Sequence, residues 1–475
     1  MQEKKFQDFN LNEDIIKSVK VLGYETPSPV QAEVIPLALL GSDVIVKAQT
    51  GSGKTAAFAI PILENLELEK NAVQCLVLTP TRELAVQVQQ NFSILGLYKR
   101  IKAIAIYGKQ PVSVQKTQLS QRVHVVVGTP GRTLDHIERG TLNLDNIRYL
   151  VIDEADEMLN MGFLEEVENI IKRIPNQRQT LMFSATLSEE IQGHIIKHMK
   201  SPKLIEITPE TLTVAKINQR YYSVNEEKKY KLLEDLIKVE GIYQCILFCR
   251  TKKNVSELSQ KMRASGYSIT EIHGDMLQKD RLTAMKEFKE GKYTFIVATD
   301  VASRGIDVTG VTHVINYDIP LELEAYVHRI GRTGRAGNSG EAITFVTPYE
   351  DKFLKSIEEF ISMEIPKATP PTKEELDNAP VSTEKPIIKK IMPATKDVVK
   401  IYINSGKKKK LRRGDIVGSL TNSGAIPPDS IGVIDIFDTY SHVDILNGYG
   451  SKLLKEHDEL NIKGKSIKIQ RARLK

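Results

Sequence analysis

The clearest structural signal in this chain is the stretch DVIVKAQTGSGKT, residues 43–55. Its first half is a short apolar run, typical of a strand buried on both faces of a parallel sheet, and the TAAFAI that follows predicts a helix. A glycine-rich loop between a strand and a helix predicts a phosphate-binding loop, with Lys54 as a mobile cation and the Thr55 hydroxyl as a magnesium ligand. A turn with only a structural role is the alternative, because Ala48 stands where the generic loop opens with glycine.

Apolar runs of the same kind recur along most of the chain. Between about residues 30 and 205 they include QCLVLTP, IKAIAIYG, HVVVGTP, RYLVIDEA and TLMFSAT, and a second series contains QCILFCRT, SITEIHG, YTFIVATD, THVINYD and EAITFVTP. Such runs, alternating with helical stretches, predict parallel sheets flanked by helices. We therefore expect two α/β lobes in tandem, at residues 1–207 and 208–365.

Composition narrows the class of protein. The 475 residues are too many for one hydrophobic core, and no apolar run reaches the ~18 residues needed to cross a membrane. The start, MQEKKFQDFN, lacks the apolar segment of a secretory signal. Three cysteines, all within the apolar runs QCLVL and QCILFC, predict small buried core residues in a reducing compartment. The sequence thus predicts a cytoplasmic protein with no membrane contact.

Two adjacent acids follow the apolar run RYLVI. Asp153 and Glu154 would lie at the carboxyl end of a buried strand, where open α/β sheets place their ligands. Asp153 can hold magnesium through water, and Glu154 is suited to deprotonate a water that attacks a γ-phosphate. A solvated turn is the alternative.

The C-terminal part differs from the rest in charge and in pattern. Residues 366–397 are rich in proline and predict a linker, and residues 398–475 hold 15 Lys and Arg against 8 Asp and Glu, although the whole chain nets only +6. The order of apolar and helical stretches in this tail is βαββαβ, an α+β ferredoxin-like pattern shared with RNA-recognition motifs. A basic domain of that kind predicts binding to a polyanion, and a solvated basic surface is the alternative.

The motifs of the two lobes resemble, in order, those of the DEAD-box RNA helicases. The resemblance covers about residues 9–350 and rests on GYETPSPVQ, AQTGSGKT, PTRELA, TPGR, DEAD (153–156), SAT, FCRT, HGDMLQKDR, ATDVASRGIDV and YVHRIGRTGRAG. It implies two RecA-like lobes, with ATP and Mg²⁺ as cofactors and RNA as the partner. Nothing in the sequence points to an obligate protein partner.

The resemblance also implies roles for residues of the nucleotide site. Gln31 looks like the adenine reader, Tyr24 would stack near the base with Phe9 in support, and either aromatic could instead belong to the core. Asp307 would contact the ribose, and Arg332 and Arg335 resemble arginine fingers of the second lobe. The phosphate loop would contribute the residues Ala48, Gln49, Thr50, Gly51, Ser52, Gly53, Lys54 and Thr55.

RNA contacts are implied along both lobes, on hydroxyls, backbone amides and arginines that read RNA shape rather than sequence. They are Pro80, Thr81, Arg82, Thr129, Gly131, Arg132, Gln278, Arg281, Thr299 and Arg304. Ser184 and Thr186 resemble the hydroxyl pair that couples hydrolysis to strand separation, although both could cap the next helix, and His328 would link nucleotide state to RNA. One position departs from the family, since YGKQ places Lys109 where a glycine is usual.

The tail resembles the atypical RNA-binding domain of the DbpA/YxiN group of bacterial helicases, which is associated with large-subunit ribosomal RNA. Its third strand, SHVDIL, has no aromatic residue and its first offers only Tyr402, so stacking of bases on the sheet face is not expected. The basic residues predicted to bind RNA lie in one loop: Lys407, Lys408, Lys409, Lys410, Arg412 and Arg413.

The sequence therefore predicts an ATP-dependent RNA helicase that unwinds short duplexes locally and that the tail directs to a structured hairpin of 23S ribosomal RNA during ribosome assembly. Two alternatives remain open. One is a general mRNA or cold-response helicase, and the other is an ATP-gated RNA clamp that does not unwind.

Overall fold

A computed structural model describes residues 5–48, 52–207, 217–300, 311–334, 340–379, 398–422 and 426–472. The chain forms two compact units. One contains residues 1–48, 52–207 and 391–475, and therefore holds both the first α/β lobe and the tail; the other contains residues 208–390, the second α/β lobe. No described helix is long and apolar enough to cross a membrane.

The first lobe is a seven-stranded parallel sheet in the order β3-β4-β2-β5-β6-β1-β7, with apolar clusters on both faces. Its strands are β1 (Val44–Lys47), β2 (Cys75–Leu78), β3 (Ala103–Ile106), β4 (Val125–Gly128), β5 (Tyr149–Ile152), β6 (Gln179–Ser184) and β7 (Lys203–Glu206). Its helices are α1 (Glu13–Val21), α2 (Pro29–Leu39), α3 (Lys54–Asn65), α4 (Arg82–Leu95), α5 (Val112–Leu119), α6 (Pro130–Glu138), α7 (Ala155–Asn160), α8 (Leu164–Ile171) and α9 (Glu189–His194). The apolar runs that predicted strands are buried on both faces, as expected.

The second lobe repeats the plan with six parallel strands in the order β10-β11-β9-β12-β13-β8. They are β8 (Ile217–Ser223), β9 (Cys245–Phe248), β10 (Ile269–Ile272), β11 (Phe295–Ala298), β12 (His313–Asn316) and β13 (Gly340–Val346). The helices described around them are α10 (Lys229–Glu240), α11 (Lys252–Ala264), α12 (Gln278–Lys289), α13 (Leu323–Ile330), α14 (Asp351–Ile361) and α15 (Lys373–Asp377). The prediction of two parallel-sheet lobes is confirmed.

The predicted linker, 366–397, begins with residues that pack on the second lobe. Tyr221 N donates to Pro366 O at 3.0 Å, Ala368 N donates to Tyr221 O at 2.8 Å, and Lys238 Nζ donates to Leu376 O at 2.8 Å. Thr372 caps α15 through a hydrogen bond from Glu375 N. Residues 366–379 are therefore ordered against this lobe, and residues 380–397 lie outside the described part of the chain.

The tail is an antiparallel sheet in the order β15-β16-β14-β18-β17, covered by two helices. Its elements are β14 (Val399–Ile403), α16 (Arg413–Asn422), β15 (Ile431–Ile436), β16 (Ser441–Ile445), α17 (Tyr449–Glu456), β17 (Glu459–Ile462) and β18 (Lys465–Arg471). The predicted βαββαβ order is thus present, with one strand more. Lys463 and Gly464 have φ of 54° and 74°, so they form a tight turn that returns β17 onto β18.

All three cysteines are buried and free of disulfides. Burial raises the pKa of the Cys75, Cys245 and Cys249 thiols well above their ordinary value. The prediction that they are core residues is confirmed.

Candidate nucleotide and RNA sites

The phosphate loop joins β1 to α3 at the carboxyl edge of the first sheet. Gly53 has φ of +90°, and a Cβ added there would lie 2.6 Å from Gln31 Nε2 and 2.9 Å from Ser28 Oγ, so the position requires glycine. Lys54 begins α3, and its buried Nζ donates to Ala48 O at 3.1 Å. Ser52 and Thr55 are partly exposed beside it. Gln49, Thr50 and Gly51 lie outside the described residues.

Gln31 supports this loop with both ends of its amide. Nε2 donates to Gly53 O at 3.1 Å, and Oε1 accepts from Ser28 N at 2.9 Å. Ser28 in turn donates from Oγ to Ser52 O at 2.8 Å. These two bonds use one N–H and one oxygen lone pair of the Gln31 amide. The second N–H and the second lone pair can hydrogen-bond to a base.

Asp153 and Glu154 follow β5, with Asp153 N donating to Leu78 O on the neighbouring strand. Asp153 is buried, and its Oδ1 has no hydrogen-bond partner among the described residues. Burial raises the pKa of Asp153 to about 7, with Glu154 adding to the rise and Lys54 opposing it. A buried carboxylate oxygen without a hydrogen-bond partner among the described residues suits a bound cation, so Asp153 fits the predicted magnesium ion.

The next residue holds an unusual backbone conformation. Glu154 has φ of 55° and ψ of 56° and stands immediately before α7. A non-glycine residue in the left-handed region costs on the order of 1–2 kcal/mol, a strain that often marks functional sites. The left-handed turn at Glu154 ends the direction of β5, and α7 begins at the next residue.

Ser184 at the end of β6 connects the acidic segment to the phosphate loop. Its Oγ accepts from Asp156 N at 3.2 Å, Ala185 N donates to the Asp156 carboxylate at 3.0 Å, and Ala48 N donates to Ser184 O at 3.0 Å. The helix cap that the sequence left open for Ser184 and Thr186 is wrong, because Ser188 caps α9 through a bond from Ile191 N. Thr186 is exposed.

Three aromatic residues lie together in the N-terminal segment of this lobe. Phe9 is buried in the core and packs edge-on against Phe6, while Tyr24 is 36% exposed and stacks on Phe6 at 6.3 Å. Of the two aromatics predicted beside the base, Phe9 is therefore a core residue, and Tyr24 retains an accessible surface.

The predicted RNA contacts of the first lobe lie together at the ends of β2 and β4, two neighbouring strands whose ends are joined by Thr79 N donating to Gly128 O. Pro80, Thr81 and Thr129 are buried and Gly131 is exposed. Arg82 lies against Gly108, and Arg132 Nη1 donates to Gln110 O at 2.8 Å and to Gln115 Oε1 at 3.0 Å. This strip shares one sheet edge with the phosphate loop.

Lys109, the departure from the family pattern, is exposed and has φ of 62°. The backbone keeps the left-handed conformation that glycine favours at this position. The lysine thus adds an exposed cation one residue after Gly108, which lies against Arg82.

In the second lobe, Gln278 is the buried first residue of α12, and Arg281 and Thr299 are half-buried. Arg332 is buried just after α13, where its Nε donates to His328 O at 3.1 Å. Arg304, Asp307 and Arg335 lie outside the described residues.

The basic loop of the tail has two parts. Lys407, Lys408, Lys409, Lys410 and Arg412 are exposed, whereas Arg413 is half-buried in a setting where burial and nearby Arg122 lower its pKa. As the sequence indicated, β16 has no Phe, Tyr or Trp and β14 has only Tyr402, but Phe437 and Tyr440 of the turn between β15 and β16 lie beside them. Tyr402 stacks on Tyr440 at 5.4 Å, Tyr440 stacks on Phe437 at 4.6 Å, and His442 contacts all three rings.

Comparisons with known proteins agree with this geometry. Residues 28–193 match the DEAD/DEAH box helicase family, residues 228–337 the helicase conserved C-terminal domain and residues 400–471 the DbpA RNA binding domain. The ATP-dependent RNA helicase DbpA of Bacillus subtilis is 48% identical over 98% of this chain and 99% of its own length. The chain belongs to the DEAD-box family of ATP-dependent RNA helicases. Its tail places it in the DbpA group of that family.

Other DEAD-box relatives match a smaller part of the chain. The helicase CshA of Geobacillus kaustophilus is 47% identical over 78% of this chain and 79% of its own length. The solved structure of Saccharomyces cerevisiae Dbp5 bound to RNA and ADP BeF3 is 30% identical, covers 77% of this chain and 95% of that one, and has a TM-score of 0.69. The DEAD-box chain described here is therefore an RNA-dependent ATPase with a nucleotide site.

Sequence reasoning missed several residues that support the DEAD-box site. Ser28 and Asp156 were not singled out, although both hydrogen-bond to motif segments. Arg329 was also missed. It is fully buried, pairs with both carboxylate oxygens of Asp300 and donates to Asn316 Oδ1 and Asp318 O. The adjacent letters of the DEAD and HRIGR motifs were the available signal for Asp156 and Arg329.

We expect Gly53→Ala to weaken ATP binding by about tenfold or more, because the added Cβ collides with Gln31 and Ser28 and displaces the loop. Titration with a fluorescent ATP analogue measures this loss of affinity. Gly23→Ala is the matched control, since Gly23 has φ of +72° but open space around its Cβ position. Equal ATP affinity in the two variants would contradict the assignment of Gly53.

Proposed function

We propose that this chain uses ATP to separate short RNA duplexes locally, and that its tail directs it to a structured hairpin of 23S ribosomal RNA in the cytoplasm during ribosome assembly. The observation that carries the proposal is the shared edge of the first sheet, where the phosphate loop and acids follow β1 and β5 and the RNA strip follows β2 and β4. A nucleotide and an RNA strand bound at one edge are close enough to influence each other.

The nucleotide chemistry follows from the residues at that edge. A Mg²⁺ ion, held by Thr55 and through water by Asp153, would neutralise phosphate charge and orient the triphosphate. Lys54 binds the phosphates, and Glu154 takes the proton of the water that attacks the γ-phosphorus while the bond to the β-phosphate oxygen breaks and ADP leaves. Gln31 and Tyr24 hold the adenine, with the amide distinguishing it from guanine.

The second lobe completes the catalytic set in this proposal. Arg332 and Arg335 stabilise charge on the transferred phosphoryl group, Asp307 contacts the ribose and His328 links the nucleotide to RNA. ATP and RNA then favour the same closed state, so each raises affinity for the other. Ser184 and Thr186 couple that closure to strand separation, and hydrolysis resets the enzyme.

RNA specificity is assigned to the tail. Core contacts through hydroxyls, amides and arginines recognise phosphates and ribose 2′-OH groups and carry little sequence information. The exposed lysines 407–410 offer phosphate contacts on a separate domain, so binding there raises the local concentration of the lobes near one target. Similarity to DbpA along nearly the whole chain supports this division of labour.

We expect a Lys408→Ala/Lys409→Ala variant to lose selective stimulation of its ATPase by 23S ribosomal RNA. Two lost phosphate contacts lower the salt dependence of RNA affinity by about 1.4–1.8 in logarithmic slope. The measurement compares ATPase stimulation by tiled 23S fragments and by arbitrary RNA of equal length at fixed salt. Lys452→Ala/Lys455→Ala, which removes two exposed charges from α17, is the matched control.

The proposal requires that some 23S fragments stimulate the wild type and the control variant more than arbitrary RNA does. Equal stimulation by all RNAs in the wild type would contradict ribosomal targeting and favour a general mRNA or cold-response helicase. ATP hydrolysis and RNA retention without duplex separation would favour an ATP-gated clamp.

A further inference from the structure

The tail sheet has one face that its own helices do not cover. Residues of β14, β15 and β16 alternate, so Val399, Ile401 and Ile403 point toward the buried side with α16 and α17. The partly exposed residues of the same strands form the opposite face. Tyr402 pairs with His442, His442 pairs with Asp435, and Lys400 pairs with Asp444 across the sheet. We call this the open face.

The open face meets the first lobe. Lys102, which directly precedes the edge strand β3, forms an ion pair with Asp435 in which each side chain is only 13% exposed. Two residues earlier, Arg100 Nη2 donates to Pro428 O at 2.6 Å, three residues before β15 begins. The two contacts join the start of an edge strand in the lobe to the outermost strand of the tail.

Asp435 is the carboxylate that offsets the positive charges gathered at this contact. Burial lowers the pKa of Lys102 and Asp435 opposes that effect, while Lys400 and Arg413 of the tail lower the pKa further. Arg413 itself is half-buried and close to Arg122 of the lobe. Asp435 therefore compensates several cations that would otherwise repel one another, and a buried cation that loses its partner is strongly disfavoured.

The aromatic rings of the open face are already in contact with one another. Phe437, Tyr440 and Tyr402 form a continuous stack, and all three are only partly exposed. A platform for bases presents free ring faces to the nucleic acid, whereas here the middle ring has a neighbour on each side.

We propose that the open face is a docking surface for the first lobe, anchored by Lys102 and Asp435, rather than a platform for RNA bases. The contact lies where the strands of the lobe begin, and the phosphate loop and RNA strip follow strand ends, so docking leaves both uncovered. It also leaves lysines 407–410 exposed to RNA, a consequence that rests on the function proposed above.

Zero-length crosslinking of the full chain tests the docking. A carbodiimide activates a carboxylate, and a neighbouring amine then forms an amide while the reagent leaves as a urea. We expect peptide mass spectrometry of the monomer band to find Lys102 joined to Asp435, and Asp435→Asn to abolish that product. Lys463 and Asp415, paired at 2.7 Å within the tail, give an internal control that both proteins retain.

Adding RNA distinguishes the two roles of the open face. With a saturating amount of the 23S fragment that binds the wild type most tightly, the Lys102–Asp435 product persists if RNA occupies the loop. Its loss with retention of the Lys463–Asp415 product, or its absence without RNA, would overturn the proposal. A chain in which no 23S fragment binds more tightly than arbitrary RNA would instead refute the proposed targeting, while the crosslink without RNA still decides the docking.

Discussion

Glu154→Gln is expected to abolish turnover while leaving ligand binding intact. Its RNA-stimulated ATP hydrolysis should fall by about a hundredfold to ten-thousandfold, because an amide cannot accept the proton of the attacking water. The side chain keeps its size and the left-handed backbone position, so the loop and the neighbouring Asp153 remain in place. Steady-state phosphate release measures the loss, and fluorescence titrations with ATP and RNA measure the retained binding.

Glu157→Gln provides the control for this variant. Glu157 is a buried glutamate on α7, the same helix that Glu154 precedes, and no chemical step is assigned to it. Hydrolysis at the wild-type rate in Glu154→Gln would remove the assignment of Glu154 as the base. A loss of equal size in Glu157→Gln would show that the effect is structural.

Arg332→Ala is expected to lower ATP hydrolysis by about a thousandfold or more, with a smaller fall in melting temperature than Arg329→Ala shows. A guanidinium that stabilises charge on the transferred phosphoryl group contributes about 10³–10⁵ in rate, and Arg332→Lys should not restore it, because an ammonium lacks the fork geometry. Arg332 Nε donates to His328 O, a carbonyl of the helix that precedes it.

Arg329→Ala is expected to act mainly on the stability of the fold. Arg329 is fully buried and bonded to Asp300, Asn316 and Asp318, so its removal leaves buried polar groups unpaired and costs about 3–5 kcal/mol of stability. Thermal unfolding separates the two arginines. A melting temperature that falls equally in both variants, or full activity in Arg332→Ala, would contradict the role assigned to Arg332.

The sequence predicted the lobes well because their signals are local. Most strands of the two parallel sheets are short apolar runs, and the phosphate loop is marked by glycine and lysine next to such a strand. The strands β7 and β8, which carry exposed polar residues, were not among the predicted runs. The pattern in the tail was harder to interpret, since β17 is a four-residue strand returned by Lys463 and Gly464 and carries only two buried residues. Its composition resembles the end of the preceding helix.

Contacts between distant segments were beyond sequence reasoning. Asp156 and Ala185 are 29 residues apart and Lys102 and Asp435 are 333 apart, and no local pattern announces either pair. The aromatic cluster was missed for the same reason. Phe437 and Tyr440 belong to the turn between β15 and β16, so only the pairing of strands brings them to Tyr402 and His442.

Strand displacement tests the proposed function most directly. The substrate is a short labelled RNA duplex joined to the 23S fragment that stimulates hydrolysis most, with the same duplex on an arbitrary RNA as the comparison. The account predicts that ATP releases the labelled strand, that release is faster on the 23S substrate, and that Lys408→Ala/Lys409→Ala removes this advantage. Retention of the labelled strand by wild-type protein that is hydrolysing ATP would contradict the account.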